Sequence, residues 1–292
     1  MKEEFNKGLL LTSLGSFWWG FIGVIYFEYV SFIGHIELFI HRCLWTAVML
    51  FFTTTIFSKW KIFVKVASDF KNLIALLISG LLIGINWGIW IYAVASDRII
   101  DASFGYFIMP IMSVLLGYVF FKESLNKKRI FSISLVFISI LFLILFNLKT
   151  LPWVGLIVAV SWAFYNLVRK KINVDTDIGL LIESLYIFPF ALAAFYILTK
   201  NGFNDFNFSN PGLSILLTLA GPMTVIPLFL YVRGVELIGL GPTGMIFYIT
   251  PTLQFILGYF YYNEEFSLIK FVSFIIIWIA VIIYLKDLYE TN

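Results

Sequence analysis

Two charged side chains, Arg42 and Glu183, lie inside long apolar stretches of the sequence. A charge deep in a bilayer costs roughly 2.5–3.5 kcal/mol, so each of them needs a partner or a function. Glu37, His41 and Trp45 recur at intervals of four residues beside Arg42, on one helical stripe. Arg42 could hold a carboxylate or another acceptor of a bound molecule, while Glu37 and His41 adjust the local charge or carry protons. The alternative is an interfacial charge cluster, in which Arg42 pairs with Glu37 or with a lipid phosphate.

Glu183 has two alternative interpretations. It could pair with Arg169 or Lys170, which end the preceding apolar stretch, or it could serve as a coupling or gating carboxylate. Arg42 and Glu183 are expected at opposite depths of the membrane. We therefore expect one gate at each end of the bundle rather than a direct ion pair.

Other polar and aromatic side chains in the apolar stretches could line a cavity that binds a solute. These candidates are Asn86, Trp90, Tyr106, Tyr165, Tyr248 and Gln254. The side-chain amide of Asn86 inside a membrane forms hydrogen bonds either to a neighbouring helix or to a ligand. Each aromatic side chain in this group could instead pack in the protein core or against lipid. Pro110 and Pro251 each free a backbone carbonyl and permit a kink, so their helices could rock around the cavity and gate it.

The sequence excludes several kinds of chemistry. One cysteine and two histidines rule out a disulfide framework and a thiolate or histidine-rich metal cage. The net charge of +3 is small and its charges are scattered, which argues against a nucleic-acid partner. Walker A, H-E-x-x-H and dinucleotide motifs are absent from the sequence, so we predict no catalytic residue, no metal and no cofactor.

Composition places the chain in a membrane. Of its 292 residues, 61% are apolar and 13% charged, and the mean hydropathy is +0.96; soluble domains carry roughly twice that charge. A helix of about 20 residues crosses a bilayer, and the sequence predicts ten such spans in an all-α polytopic bundle. They are Gly8–Phe27, Leu38–Ser58, Asn72–Ser96, Ala102–Phe121, Ile130–Leu148, Thr150–Val168, Ile178–Thr199, Phe206–Val232, Leu237–Asn263 and Phe271–Leu285.

The distribution of lysine and arginine orients these spans. If the N-terminus is cytoplasmic, fifteen of the 20 basic residues lie on the cytoplasmic side and four on the other. This positive-inside bias predicts that both termini are cytoplasmic.

An internal repeat divides the chain into two halves. Residues 110–123 align without gaps on 251–264 at an offset of 141, with five identities in 14 positions. The same offset carries Arg42 onto Glu183. Five spans in each half make the halves enter the membrane from opposite sides, as in many secondary transporters. We predict repeats at 1–148 and 149–292 within one integral bundle; a duplicated structural bundle without transport is the alternative.

Several motifs are shared with a known family. They are ELFIHR at 37–42, NW at 86–87, ASFGYFIMP at 102–110, SWAFY at 161–165, VRKK at 168–171 and YITP at 248–251. Together with the repeat, they resemble the EamA-type branch of the drug/metabolite transporter superfamily, and within it the RarD group. The resemblance implies a multi-pass carrier of small metabolites or drugs in the bacterial inner membrane.

The sequence thus predicts a secondary transporter, not an enzyme, that moves a small organic solute by alternating access without ATP hydrolysis. Its expected partners are that solute and the lipid bilayer, and the choice between monomer and homodimer stays open. One alternative is an integral-membrane enzyme acting on a lipid-linked substrate, whose carboxylates would be Asp97 and Asp101. A second alternative is a membrane assembly factor that transports nothing.

Overall fold

The computed structural model describes residues 2–95, 99–147, 153–172, 174–207, 209–261 and 268–291. Within these ranges the regular elements are helices, and no strand occurs. The α-helices are α1 (Lys2–Phe17), α2 (Gly23–Tyr29), α3 (His35–Ile56), α4 (Trp60–Ala67), α5 (Phe70–Ala95), α6 (Ile99–Phe121), α7 (Lys127–Asn147), α8 (Trp153–Lys171), α9 (Thr176–Lys200), α10 (Pro211–Thr218), α11 (Ala220–Ile238), α12 (Leu240–Ile246), α13 (Ile249–Phe260) and α14 (Leu268–Thr291). A π-helical turn at Trp18–Ile22 joins α1 to α2.

Seven helical runs in the described residues are long and apolar enough to cross a membrane. They are Glu3–Tyr29, His35–Ile56, Phe70–Trp90, Lys127–Phe146, Thr176–Lys200, Pro211–Ile238 and Phe271–Thr291. The other three predicted spans coincide with α6, α8 and the α12–α13 pair. α8 ends in three consecutive basic residues, and the third of these spans is divided between two short helices. The count of ten and the cytoplasmic termini stay predictions.

Helices from equivalent positions in the two predicted halves pack against each other. α3 packs on α9, α6 on α12, and α7 on α14. At the α6–α12 crossing, the ring of Tyr106 stacks on that of Phe247 with 6.1 Å between centroids. Beside them, the Tyr248 hydroxyl donates to the Phe107 carbonyl at 2.8 Å. Both contacts join residues 141 apart, the offset of the sequence repeat, although the inverted topology and the division at residue 148 stay predictions.

Two glycines at the same offset make similar close contacts. A Cβ on Gly80 of α5 would stand 3.3 Å from the Glu183 carbonyl oxygen of α9. A Cβ on Gly221 of α11 would stand 2.5 Å from the Trp45 carbonyl oxygen of α3. The absent side chains let each pair of backbones approach closely. Through them α3 and α9 are held between α5 and α11, around the largest hydrophobic core cluster.

Glu123 clamps the loop after α6 onto the start of α12. Its Oε1 accepts from the Leu240 N–H and its Oε2 from the Gly241 N–H, each at 2.8 Å. These donors are unpaired at a helix N-terminus, so a carboxylate satisfies them well. Burial raises the pKa of the Glu123 carboxyl, and the two N–H donors oppose that shift.

The clamp makes Glu123→Gln a destabilising change. A glutamine keeps one acceptor and turns an NH₂ group towards the other backbone donor, so we expect a loss of about 1–3 kcal/mol. The thermal unfolding midpoint of the purified protein, followed by intrinsic fluorescence, measures it. Glu290→Gln is the control because Glu290 is 48% exposed in a surface pair with Lys128, where we expect less than about 0.5 kcal/mol. Equal midpoints for the two variants would rule out the clamp.

Candidate solute site

Arg42 is enclosed by aromatic rings rather than by carboxylates. Its guanidinium carbon lies 4.3 Å from the Trp87 ring centroid and 5.2 Å from that of Phe27. Its Nε donates to the Thr224 hydroxyl at 3.0 Å, from α3 to α11. Among the described residues, no carboxylate lies within ion-pair distance of this guanidinium. The alternative in which Arg42 pairs with Glu37 is therefore not observed, and the role of Arg42 in binding a solute stays a prediction.

The helical stripe of Glu37, His41 and Trp45 holds the loop that follows α9. Glu37 accepts from the Asp205 N–H at 2.7 Å and lies 3.4 Å from His41 Nε2. The other ring nitrogen of His41 accepts from the Trp45 indole N–H at 3.2 Å. A second proton on the imidazole would displace that indole, so the geometry favours a structural role. Proton carriage by Glu37 and His41 stays a prediction.

Two further predicted residues, Trp90 and Tyr106, lie near Arg42. The centroid of the Trp90 ring is 6.4 Å from that of Phe27, and the Tyr106 side chain is close enough to Trp90 and to Arg42 to interact electrostatically with both. Arg42 and Phe27 keep part of their surface open, whereas Trp87 is buried. We name this group the Arg42 box: it consists of Phe27, Arg42, Trp87, Trp90, Tyr106 and Thr224.

Of three other predicted residues, Asn86 and Tyr248 make helix contacts elsewhere. Asn86 donates from α5 to the Val158 carbonyl of α8 at 2.8 Å, and Tyr248 bonds the backbone of α6 as described above. Gln254 is half-buried on α13, and no hydrogen bond in the described part of the chain joins it to Arg42. Their role in binding a solute stays a prediction.

Glu183 lies in a buried polar cluster with Ser79, Tyr165 and Arg169. Its Oε1 accepts from the Ser79 hydroxyl at 2.5 Å and lies 3.6 Å from Arg169 Nε, and its Oε2 accepts from the Tyr165 hydroxyl at 3.3 Å. Both Glu183 and Arg169 are almost fully buried. Of the two pairing partners considered for Glu183, the structure shows Arg169, whereas Lys170 instead donates to backbone carbonyls of α11. The coupling or gating role of Glu183 stays a prediction.

A small cavity borders the Glu183 cluster. It lies between α3, α5, α9 and α11, and Thr46, Trp87 and Glu183 are among its lining residues. Its volume is about 20 Å³, enough for about one water molecule. Trp87 of the Arg42 box lines this cavity and also lies against Arg42, so its ring stands between Arg42 and the cavity.

The two prolines differ in their surroundings. α6 runs through Pro110 without a break, and Gly244 of α12 packs on the Pro110 backbone. Pro251 lies in the first turn of α13, where a missing N–H costs little. The helix break therefore precedes Pro251 and separates α12 from α13. The gating role of both prolines stays a prediction.

Sequence reasoning missed Trp87, Thr224 and Ser79 as partners of the two interior charges. Asp97 and the side chain of Asp101 lie outside the described residues. In the part of the chain that the structure describes, no three His, Cys, Asp or Glu side chains gather closely enough to hold a metal ion.

Comparisons with known proteins agree on one family. A model of the EamA-like transporter family matches residues 6–145 and 150–286. A Vibrio cholerae protein named an uncharacterized transporter is 33% identical over 98% of this chain and 94% of its own length. Protein RarD of Escherichia coli K12 is 30% identical over 99% of this chain and 97% of its own length. A crystal structure of another protein superposes with a TM-score of 0.71 over 95% of this chain and 96% of that chain; at 12% identity it shows the fold alone.

Proposed function

This chain belongs to the EamA-like transporter family and, within it, to the RarD group, and from this premise we propose that it moves a small organic solute across a bacterial inner membrane by alternating access. Ten spans in two inverted halves, with both termini in the cytoplasm, form the carrier. The driving force is a solute gradient, exchange or a proton gradient rather than ATP.

The observation that carries this proposal is Arg42, a partly open cation inside an apolar bundle whose described neighbours include no counter-charge. A cation kept in such a place is costly and marks a solute pathway. The Arg42 box then forms one end of the pathway and the Glu183 cluster the other. Trp87, a member of the box, lies between Arg42 and the cavity.

Transport then requires the helices to separate. A cavity of about 20 Å³ admits water but no organic solute, so this conformation is closed between the two charged regions. Contacts between equivalent residues of the two halves, such as Tyr106 with Phe247, lie where the halves would rock on each other. In this mechanism Pro110 and Pro251 lie on the rocking helices.

Uptake into proteoliposomes tests the proposal. A mixed panel of metabolites and antibiotics is presented with and without a pH gradient, and accumulated solutes are read by mass spectrometry. We expect selective accumulation that falls by about tenfold or more in Arg42→Ala, because a charged hydrogen bond to the solute is lost.

Arg233→Ala is the matched control, because Arg233 is 44% exposed and pairs with Glu236 on the surface of α11. It should retain uptake. Failure of folded, inserted protein to accumulate any solute above empty liposomes would overturn the transporter proposal. Accumulation that Arg42→Ala leaves unchanged would remove the Arg42 box from the pathway.

A further inference from the structure

The surroundings of Arg42 restrict what can bind it. The guanidinium carbon lies over the rings of Trp87 and Phe27, at 4.3 and 5.2 Å from their centroids. A ligand oxygen can be bound by the guanidinium N–H groups, which lie in one plane at its edge. Nε already donates to Thr224, and no other described residue accepts a hydrogen bond from this side chain. The remaining N–H groups match two oxygens in the same plane, the geometry of a carboxylate.

The charge balance of the Arg42 box restricts the ligand further. Arg42 is its one ionised side chain, and the nearby Glu37 is already engaged by His41 and the Asp205 N–H. One negative charge would neutralise the box, whereas a second would lie in apolar surroundings without a partner. A zwitterion is also disfavoured, because the Glu183 carboxylate is already paired with Arg169 beyond the Trp87 ring.

The rest of the Arg42 box is aromatic. Phe27 and Trp90 are in edge contact with 6.4 Å between centroids, and the Tyr106 ring, which lies near Trp90, stacks on Phe247. Rings of this kind pack well on a flat apolar body, by offset or edge-to-face contact. An aliphatic chain of similar size would lose that ring contact.

We propose that the Arg42 box binds an aromatic monocarboxylate, with the carboxylate on the edge of the Arg42 guanidinium and the ring against Trp90 and Tyr106. The ligand class rests on the proposed function only in that the ligand is also the transported solute. Binding and transport can be measured separately, so the two proposals can fail independently.

A calorimetric titration tests the ligand class. The purified chain in phosphatidylcholine nanodiscs is titrated with 3-phenylpropionate, with its neutral amide 3-phenylpropanamide, and with hexanoate. We expect 3-phenylpropionate to bind at least about tenfold more tightly than the amide, because the amide lacks the charge. Hexanoate should bind more weakly than 3-phenylpropionate. Equal affinity for the acid and the amide would overturn the proposal.

Variants assign the preference to Arg42. Arg42→Gln should abolish the difference between acid and amide, and the exposed Arg233→Gln should keep it. Arg42→Lys keeps the charge but loses the planar fork, so a several-fold weaker preference is expected even if the glutamine variant does not fold. A preference that survives unchanged in Arg42→Lys would exclude the planar arrangement and overturn the proposal.

A lipid phosphate is the competing occupant of Arg42, and the same titration distinguishes it. If phosphatidylglycerol in the nanodisc abolishes 3-phenylpropionate binding, the box holds a lipid headgroup and the ligand class is wrong. Uptake of neutral solutes without binding of 3-phenylpropionate would leave the transporter proposal intact and overturn this one. Binding without uptake of any solute would do the reverse.

Discussion

Gly221→Ala is expected to lower the stability of the folded bundle by about 1–3 kcal/mol or more. The added methyl carbon would stand 2.5 Å from the Trp45 carbonyl oxygen and 2.7 Å from its carbon. Both atoms belong to a helix backbone, which cannot rotate away as the end of a flexible side chain can. α11 must then move away from α3, and the core cluster between them loses contact.

Gly88→Ala is the matched control for this substitution. A Cβ on Gly88 meets no atom within 4 Å, and alanine favours a helix over glycine by about 1 kcal/mol. The control should therefore be neutral or stabilising. Thermal midpoints of the two purified variants, followed by light scattering and intrinsic fluorescence, measure the contrast. A Gly221→Ala midpoint as high as that of Gly88→Ala would show that α3 and α11 are not closely packed.

Arg169→Ala should be the most damaging single substitution at the Glu183 cluster. The Glu183 carboxylate is almost fully buried, and Arg169 lies 3.6 Å from its Oε1. Removing the cation leaves a buried carboxylate without a counter-charge, which costs about 3–5 kcal/mol in comparable sites. We expect a large fall in the unfolding midpoint and in the yield of monodisperse protein.

A double variant that removes both charges is the control for Arg169→Ala. In Arg169→Met with Glu183→Gln both charges are gone, while the amide still has an oxygen to accept from Ser79. The double variant should therefore be more stable than Arg169→Met alone, and a double-mutant cycle gives the coupling energy. If Glu183→Gln lowers stability further in the Arg169→Met background, the charge pair is not what stabilises this cluster.

The interior charges can be found in the sequence because they interrupt apolar stretches, and Arg169, which pairs with Glu183, is one of the two partners that the sequence offers. The partners of Arg42 could not be found in the same way. Thr224 lies 182 residues further along the chain. The chain has nine tryptophans, and the sequence does not show which of them contacts Arg42. Long-range packing, rather than local spacing, brings these side chains together.

The absence of a contact between Glu37 and Arg42 has a geometric cause. Residues five apart on a helix point about 140° away from each other, whereas residues four apart lie on one face. His41, four residues after Glu37, therefore meets the carboxylate at 3.4 Å. The spacing correctly predicts that Glu37, His41 and Trp45 lie on one face of α3. Arg42 lies on the neighbouring face, towards Trp87 and Thr224.

The contacts between Tyr106 and Phe247 and between Phe107 and Tyr248 have a consequence for any exchange between two end states. Such residues occupy equivalent positions, so swapping the conformations of the halves turns each contact into a near copy of itself. Its free energy then enters both states about equally and cancels from their population ratio. Substitutions there should change how stable the bundle is, while we expect the preference for one end state to be set by positions whose residues differ between the two halves, such as Arg42 and Glu183.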